Sequence, residues 1–122
     1  MVDTKRGEIF SSGTVTATGA SDVLDLGGQF RSGWFHTVAT AITGGETVDI
    51  TLGFYLDSAG AVLLGTITFD QLTAGSPSDV ELWPGDITAR DHPLHMPRFV
   101  KVNYTLSGGA SLSFIVYGDL LG

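Results

Sequence analysis

From Val48 to Leu56 apolar and polar side chains alternate without a break. Val48, Ile50, Leu52, Phe54 and Leu56 fall on one side, and Asp49, Thr51, Gly53 and Tyr55 on the other. Successive side chains of a strand point to opposite faces, so this period predicts a strand with one buried face. A slip of one residue would turn five apolar side chains outward, which fixes the register. Asp57-Ser58-Ala59-Gly60 has the composition of a hairpin turn, and the returning strand is expected from about Val62 to Asp70. A second hairpin is predicted near the end. Phe99, Lys101, Asn103 and Thr105 alternate with Val100, Val102, Tyr104 and Leu106; Ser107-Gly108-Gly109-Ala110 turns the chain. Leu112, Phe114 and Val116 then alternate with Ser113, Ile115 and Tyr117.

Trp34 to Ile42 reads differently. Trp34, His36, Val38, Thr40 and Ile42 share one face, and Phe35, Thr37, Ala39 and Ala41 the other. Neither face is strongly polar, which predicts a strand covered on both sides. Shorter strand-like pieces lie near Thr14–Thr18, Asp22–Leu26 and Asp79–Trp83, the last closed by Pro84-Gly85. Asp86 to Met96 shows no strand pattern and is expected to be an irregular connection. Met1 to Ser12 is polar and is expected to be a flexible arm, with a single domain over residues 13–122. About eight strands at this spacing predict an all-β, antiparallel sandwich or barrel. A jelly roll and an immunoglobulin-like sandwich both satisfy the pattern.

Composition narrows the function classes. A length of 122 residues fits one domain with a sizeable core. There is no cysteine, so no disulfide is possible, which fits assembly in a reducing cytoplasm. Six basic residues against thirteen acidic ones give a net charge of −7. The basic residues Lys5, Arg6, Arg31, Arg90, Arg98 and Lys101 are scattered, so neither a nucleic-acid nor an anionic-membrane partner is expected. No apolar run of signal-peptide or membrane-span type occurs, and no export signal is read.

The candidate chemistry is thin. His92 and His95 stand beside Asp91 in H-P-L-H, a zinc-capable donor set whose spacing matches no ligand motif; they read as surface-loop histidines. Acid pairs such as Asp22 and Asp25, or Asp86 and Asp91, read as solvated surface charge among thirteen acids. No nucleophile signature of G-x-S-x-G type and no phosphate-binding loop occurs. No catalytic residue, cofactor or metal site is assigned, and an enzyme is not expected. Trp34, Trp83, Tyr55, Tyr104 and Tyr117 could form a sugar-stacking platform, but core and subunit-interface roles are favoured for them.

Three stretches carry a resemblance. They are S-D-V-L-D-L-G-G (Ser21 to Gly28), T-V-D-I-T-L-G-F-Y-L (Thr47 to Leu56) and P-R-F-V-K-V-N-Y-T-L (Pro97 to Leu106). With the acidic, cysteine-free composition they resemble the Bbp16-type capsid cement, or decoration, proteins of tailed bacteriophages, over about Val15 to Leu120. The resemblance implies a jelly-roll domain that forms homotrimers, binds the outside of an HK97-type major capsid shell and stabilises it. It implies a place on the capsid exterior of a virion made in the bacterial cytoplasm. Arg98, Phe99 and Tyr104 match the late strand that holds such a sandwich together. Trp34 and His36, on the doubly apolar strand, are the expected interface residues. A carbohydrate-binding module, or a tail or baseplate β-sandwich, is the alternative reading.

Overall fold

The computed structural model describes residues 4–28, 30–42, 45–89, 96–107 and 111–122. The alternating stretch that begins at Val48 forms strand β5 (Thr47–Tyr55), in which Val48, Ile50, Leu52 and Phe54 are fully buried. Leu56 is not the fifth member of that row. The strand stops at Tyr55, and Leu56 enters the hairpin turn with 64% of its surface exposed. Asp57 builds the turn: its carboxylate accepts the backbone N–H groups of Ala61 (3.0 Å) and Val62 (3.0 Å). Gly60 takes the left-handed backbone (φ 71°) that such a turn demands. The chain returns as β6 (Leu63–Thr68), antiparallel to β5.

The second expected hairpin does not form. The strands β10 (Phe99–Ser107) and β11 (Ser113–Leu121) exist, but β10 pairs with β5 while β11 pairs with β4 (Ser32–Thr40) in the opposite sheet. Each strand buries one face, and alternation specifies which face is buried but not which neighbour lies beside it. Val100, Val102 and Tyr104 of β10 point inward, as do Phe114, Val116 and Leu120 of β11.

The remaining strands are β1 (Thr4–Ser11), β2 (Gly19–Ala20), β3 (Leu24–Asp25), β7 (Leu72–Thr73), β8 (Ser78–Trp83) and β9 (Ile87–Ala89). One sheet runs β1-β11-β4-β8; the other runs β2-β10-β5-β6-β9, with β3 also on β10 and β7 on β5. If β2 and β3 are read as one interrupted strand, and the short β7 and β9 are set aside, eight strands remain. They run 1-8-3-6 in one sheet and 2-7-4-5 in the other, the double Greek key of a jelly roll. The antiparallel jelly-roll-like sandwich is therefore the fold, and strand order separates it from the immunoglobulin type.

Two expectations are corrected here. Thr4–Ser11, expected as an arm outside the domain, is β1 and pairs along β11 from Thr4↔Leu121 to Ser11↔Ile115. Its pattern is hidden because it is an edge strand, polar through Glu8, with Gly7 at φ 124° and a register shift between Glu8 and Phe10. Within Asp86–Met96, expected to be irregular, Ile87–Ala89 forms β9 against β6. Residues 90–95, which include Asp91, His92 and His95, lie outside the described residues.

The core lies between the layers. Phe35, Phe54 and Trp83 cluster at one end, with ring centroids 5.6 and 4.8 Å apart. Phe10, Phe114 and Tyr104 cluster at the other, at 5.9 and 5.2 Å. These spacings are those of offset and edge-to-face aromatic pairs, which add to their area burial. Ile50→Ala should cost about 2–5 kcal/mol, since it deletes a fully buried side chain and leaves a cavity in the core. A Cβ added at Gly33 would meet the Asp119 carbonyl oxygen at 3.0 Å and Leu120 Cα at 3.2 Å, both backbone atoms that cannot turn aside. Gly33→Ala should therefore cost roughly 1–3 kcal/mol by overpacking. Urea unfolding of the two variants checks both values.

Candidate functional site

The outer face of the four-stranded sheet is the feature that stands out. β4 turns Phe35, Thr37 and Ala39 inward and Trp34, His36 and Val38 outward. The register then lays out rows across the sheet. Asp119, Trp34 and Leu82 make one row, from β11 through β4 to β8; Tyr117, His36 and Val80 make the next; Ile115, Val38 and Ser78 the third. Trp34 is 62% exposed, and Leu82, Val80, Tyr117 and Leu121 of the same face are exposed too. The strand expected to be covered on both sides is covered on one.

Scattered exposed apolar side chains are ordinary; a contiguous set that includes a tryptophan marks a contact surface. This surface is not flat. Trp34 stands between two hollows. One, of about 290 Å³, is lined by His36, Val80, Tyr117 and Asp119. The other, of about 160 Å³, lies against Leu82, Pro84, Gly85 and Leu121. The His36 and Tyr117 rings are 6.2 Å apart across the strands. The charged groups of this face belong to β1 and β11: Glu8 stands in register with Tyr117, and Arg6 Nε donates to Asp119 Oδ1 at 2.9 Å, beside Trp34.

The five residues singled out in the sequence divide into three places. Trp34 and His36 come together on this face. Arg98 and Phe99 lie on the other sheet. There the Arg98 guanidinium grips Asp25 with two bonds, Nε to Oδ1 at 2.6 Å and Nη2 to Oδ2 at 2.9 Å, and sits 5.8 Å from the Phe99 ring centroid. The fork ties the short β3 to the start of β10. Tyr104 points inward, stacks edge-on against Phe114 and closes over Gly19. The five rings considered as a sugar platform do not share a face either. Trp83 is buried, Tyr104 turns inward and Tyr55 lies on the opposite sheet, which leaves Trp34 with Tyr117.

An acidic group was not foreseen. Asp79 and Glu81 share a face of β8 and meet Asp70, which follows β6; their carboxylates lie within 4.8 Å of one another. The Asp79 Oδ2 also accepts the Asp70 N–H at 2.8 Å. The i, i+2 spacing puts Asp79 and Glu81 on one face, but the approach of Asp70 depends on how the sheets pack. Burial, followed by hydrogen bonding and repulsion from Asp79 and Asp86, pushes the Glu81 carboxyl up to about 8. Asp25 goes the other way, held below the usual carboxylate range by Arg98 and by the Gly27 N–H.

No family model matches the chain, and no curated protein matches it. Among solved structures it is similar to the infectious bursal disease virus VP2 subviral particle, at 16% identity and a TM-score of 0.49, over 96% of this chain and 30% of that one. The T13 infectious bursal disease virus particle is similar at 15% identity and a TM-score of 0.44, over 98% and 29%. The Clostridium thermocellum xylanase 10B CBM22-1–GH10 modules complexed with xylohexaose are similar at 11% and 0.43, over 82% and 19%. The chain thus spans less than a third of each of these. The fold assignment stands on strand order rather than on these likenesses. The fold and the site together define an antiparallel jelly-roll sandwich with one apolar sheet face left open.

The two shifted carboxyls set opposite pH limits. Folded Glu81 keeps its proton to about pH 8, whereas an unfolded one releases it near 4.5. Between those values the folded chain holds the extra proton, so stability falls as pH rises. Glu81→Gln should remove that fall, leaving a variant that melts higher than the parent at pH 8. The Asp25–Arg98 pair contributes above the ordinary value of 3.8 and is lost as pH drops below it; the pair is exposed, so its effect is small. Thermal melts from pH 3 to 9 on parent and Glu81→Gln check both directions.

Proposed function

We propose that this chain is a virion structural protein: a capsid decoration, or cement, protein that binds the outside of an HK97-type major capsid shell as an oligomer and stabilises it. The single observation that carries the reading is the open apolar face around Trp34, His36, Val80, Leu82 and Tyr117. It is the kind of surface that a contact protein buries and that a lone domain gains nothing by exposing. The jelly-roll strand order and the sequence resemblance at Ser21–Gly28, Thr47–Leu56 and Pro97–Leu106 support the same reading.

The physics of such a role is contact without chemistry. Specific interfaces bury about 1,200–2,000 Å² in total. Removing apolar area from water contributes about 25 cal/mol per Å², offset by the cost of association. A repeating shell presents the same site many times, so a bridging oligomer gains avidity that one contact lacks. Trp34 is a natural centre for the contact, since exposed tryptophans with apolar neighbours dominate interface energetics.

The carbohydrate-binding reading is weaker, because the aromatic rings it needs are spread over two faces and the core. Particles assembled without this protein should lose integrity at a lower temperature than complete particles and, on dilution into low-salt buffer, at a salt concentration that complete particles still withstand. Adding back the parent chain should restore them, and adding back Trp34→Ser should restore them at least about tenfold less effectively per mole. Equal robustness of bare and complete particles would overturn the proposal.

A further inference from the structure

The described residues hold a second exposed apolar feature, far from the sheet face in chain order. The β5–β6 hairpin carries Leu56 (64% exposed), Val62 and Leu63 (55% exposed) on its tip. The tip is held in shape. Asp57 accepts the Ala61 and Val62 N–H groups, the Gly60 N–H reaches the Asp57 carbonyl at 3.2 Å, and the Leu56 N–H reaches the Val62 carbonyl at 3.0 Å. A projection already fixed by its own backbone loses little freedom on binding. It belongs to the seven-stranded sheet, whereas the hollow beside Trp34, Leu82 and Leu121 is on the outside of the other layer.

We infer that the hairpin tip of one copy seats in the hollow beside Trp34 of a second copy. This deepens the proposed function and rests on its reading of the chain as an oligomer. Two features of different shape on different layers make a heterologous contact, which closes into a ring or runs on as a filament according to the rotation between copies. The second copy is the occupant for two reasons. First, one contact of this kind covers both exposed features at once, whereas a face-to-face pairing would leave the hairpin tip wet. Second, copies carrying −7 each repel, so they meet best where charge is absent. None of the residues lining this hollow is charged. The one acid of the tip, Asp57, turns its carboxylate onto its own backbone.

The test uses the full chain in three forms: parent, a tip variant (Leu56→Gln with Leu63→Gln) and a hollow variant (Leu82→Gln with Leu121→Gln). All four positions are exposed, and neutral substitutions add no repulsion. Masses are read by light scattering over a range of concentrations. The expected result is a parent that self-associates, and two variants that do so at least about tenfold more weakly. Mixed in equal amounts, the variants form one-to-one dimers and nothing larger, because one intact tip then meets one intact hollow. A tip variant that keeps the parent mass while the hollow variant loses it would overturn the inference in favour of like faces meeting. A parent that stays monomeric would also overturn it. If that monomer still bound and stabilised capsid particles, the decoration reading would survive alone. Should either double variant fail to fold, Leu56→Gln and Leu121→Gln singly give the same contrast.

Discussion

The structure depends first on one buried row. Val48, Ile50, Leu52 and Phe54 lie on β5 with no exposed surface, and β5 has β10 on one side and β6 on the other. Because a strand has a side-chain period of two, burying this row fixes the register of β5. The ladder then fixes β10 and β6, and Phe54 reaches across the layers to Phe35 and Trp83. β4 must therefore present Phe35, Thr37 and Ala39 to the core. Once that is so, Trp34 and His36 have nowhere to go but outward. The open face follows from the same alternation that builds the core.

That chain of consequence explains what could be read from sequence. β5, β10 and β11 are long, regular and apolar on one side, and their inward residues follow from residue order; their ends do not, since β5 stops before Leu56 and β11 runs on to Leu121. Their partners do not. Ser107 to Ala110 has the composition of a tight turn, yet β10 and β11 belong to different sheets, because the choice between hairpin and crossover is made by packing. β1 was illegible for a local reason: its first five residues show no apolar period, and its hold on the domain comes from pairing with β11 and from Phe10 against Phe114. At the site, the doubly apolar character of Trp34–Ile42 was plain. That its outer side would be uncovered in the single chain was not. Arg98 drew notice through its family-like strand, but Asp25, its partner 73 positions earlier in the chain, could be found only in three dimensions.

Surface charge reinforces the division between the faces. The acids of β8 and the residue after β6 collect on one side of the sandwich, where a shared proton on Glu81 eases their repulsion. The Arg6–Asp119 pair sits at the β1 margin of the open face. Between these lies a surface of rings and aliphatic side chains. A strongly acidic chain that keeps one sheet face nearly free of charge has a place where contact costs little electrostatic work.

The central claim is that this face is covered when the protein is at work. Acrylamide quenching of tryptophan emission tests it directly, because the chain has two tryptophans, Trp34 open on the face and Trp83 buried in the core. In the dilute free chain one emitter should be readily quenched and the other protected. On capsid particles carrying the protein, the account predicts that the quenchable component disappears while the protected one is unchanged. A Trp34 signal as accessible on the particle as in the free chain would contradict it.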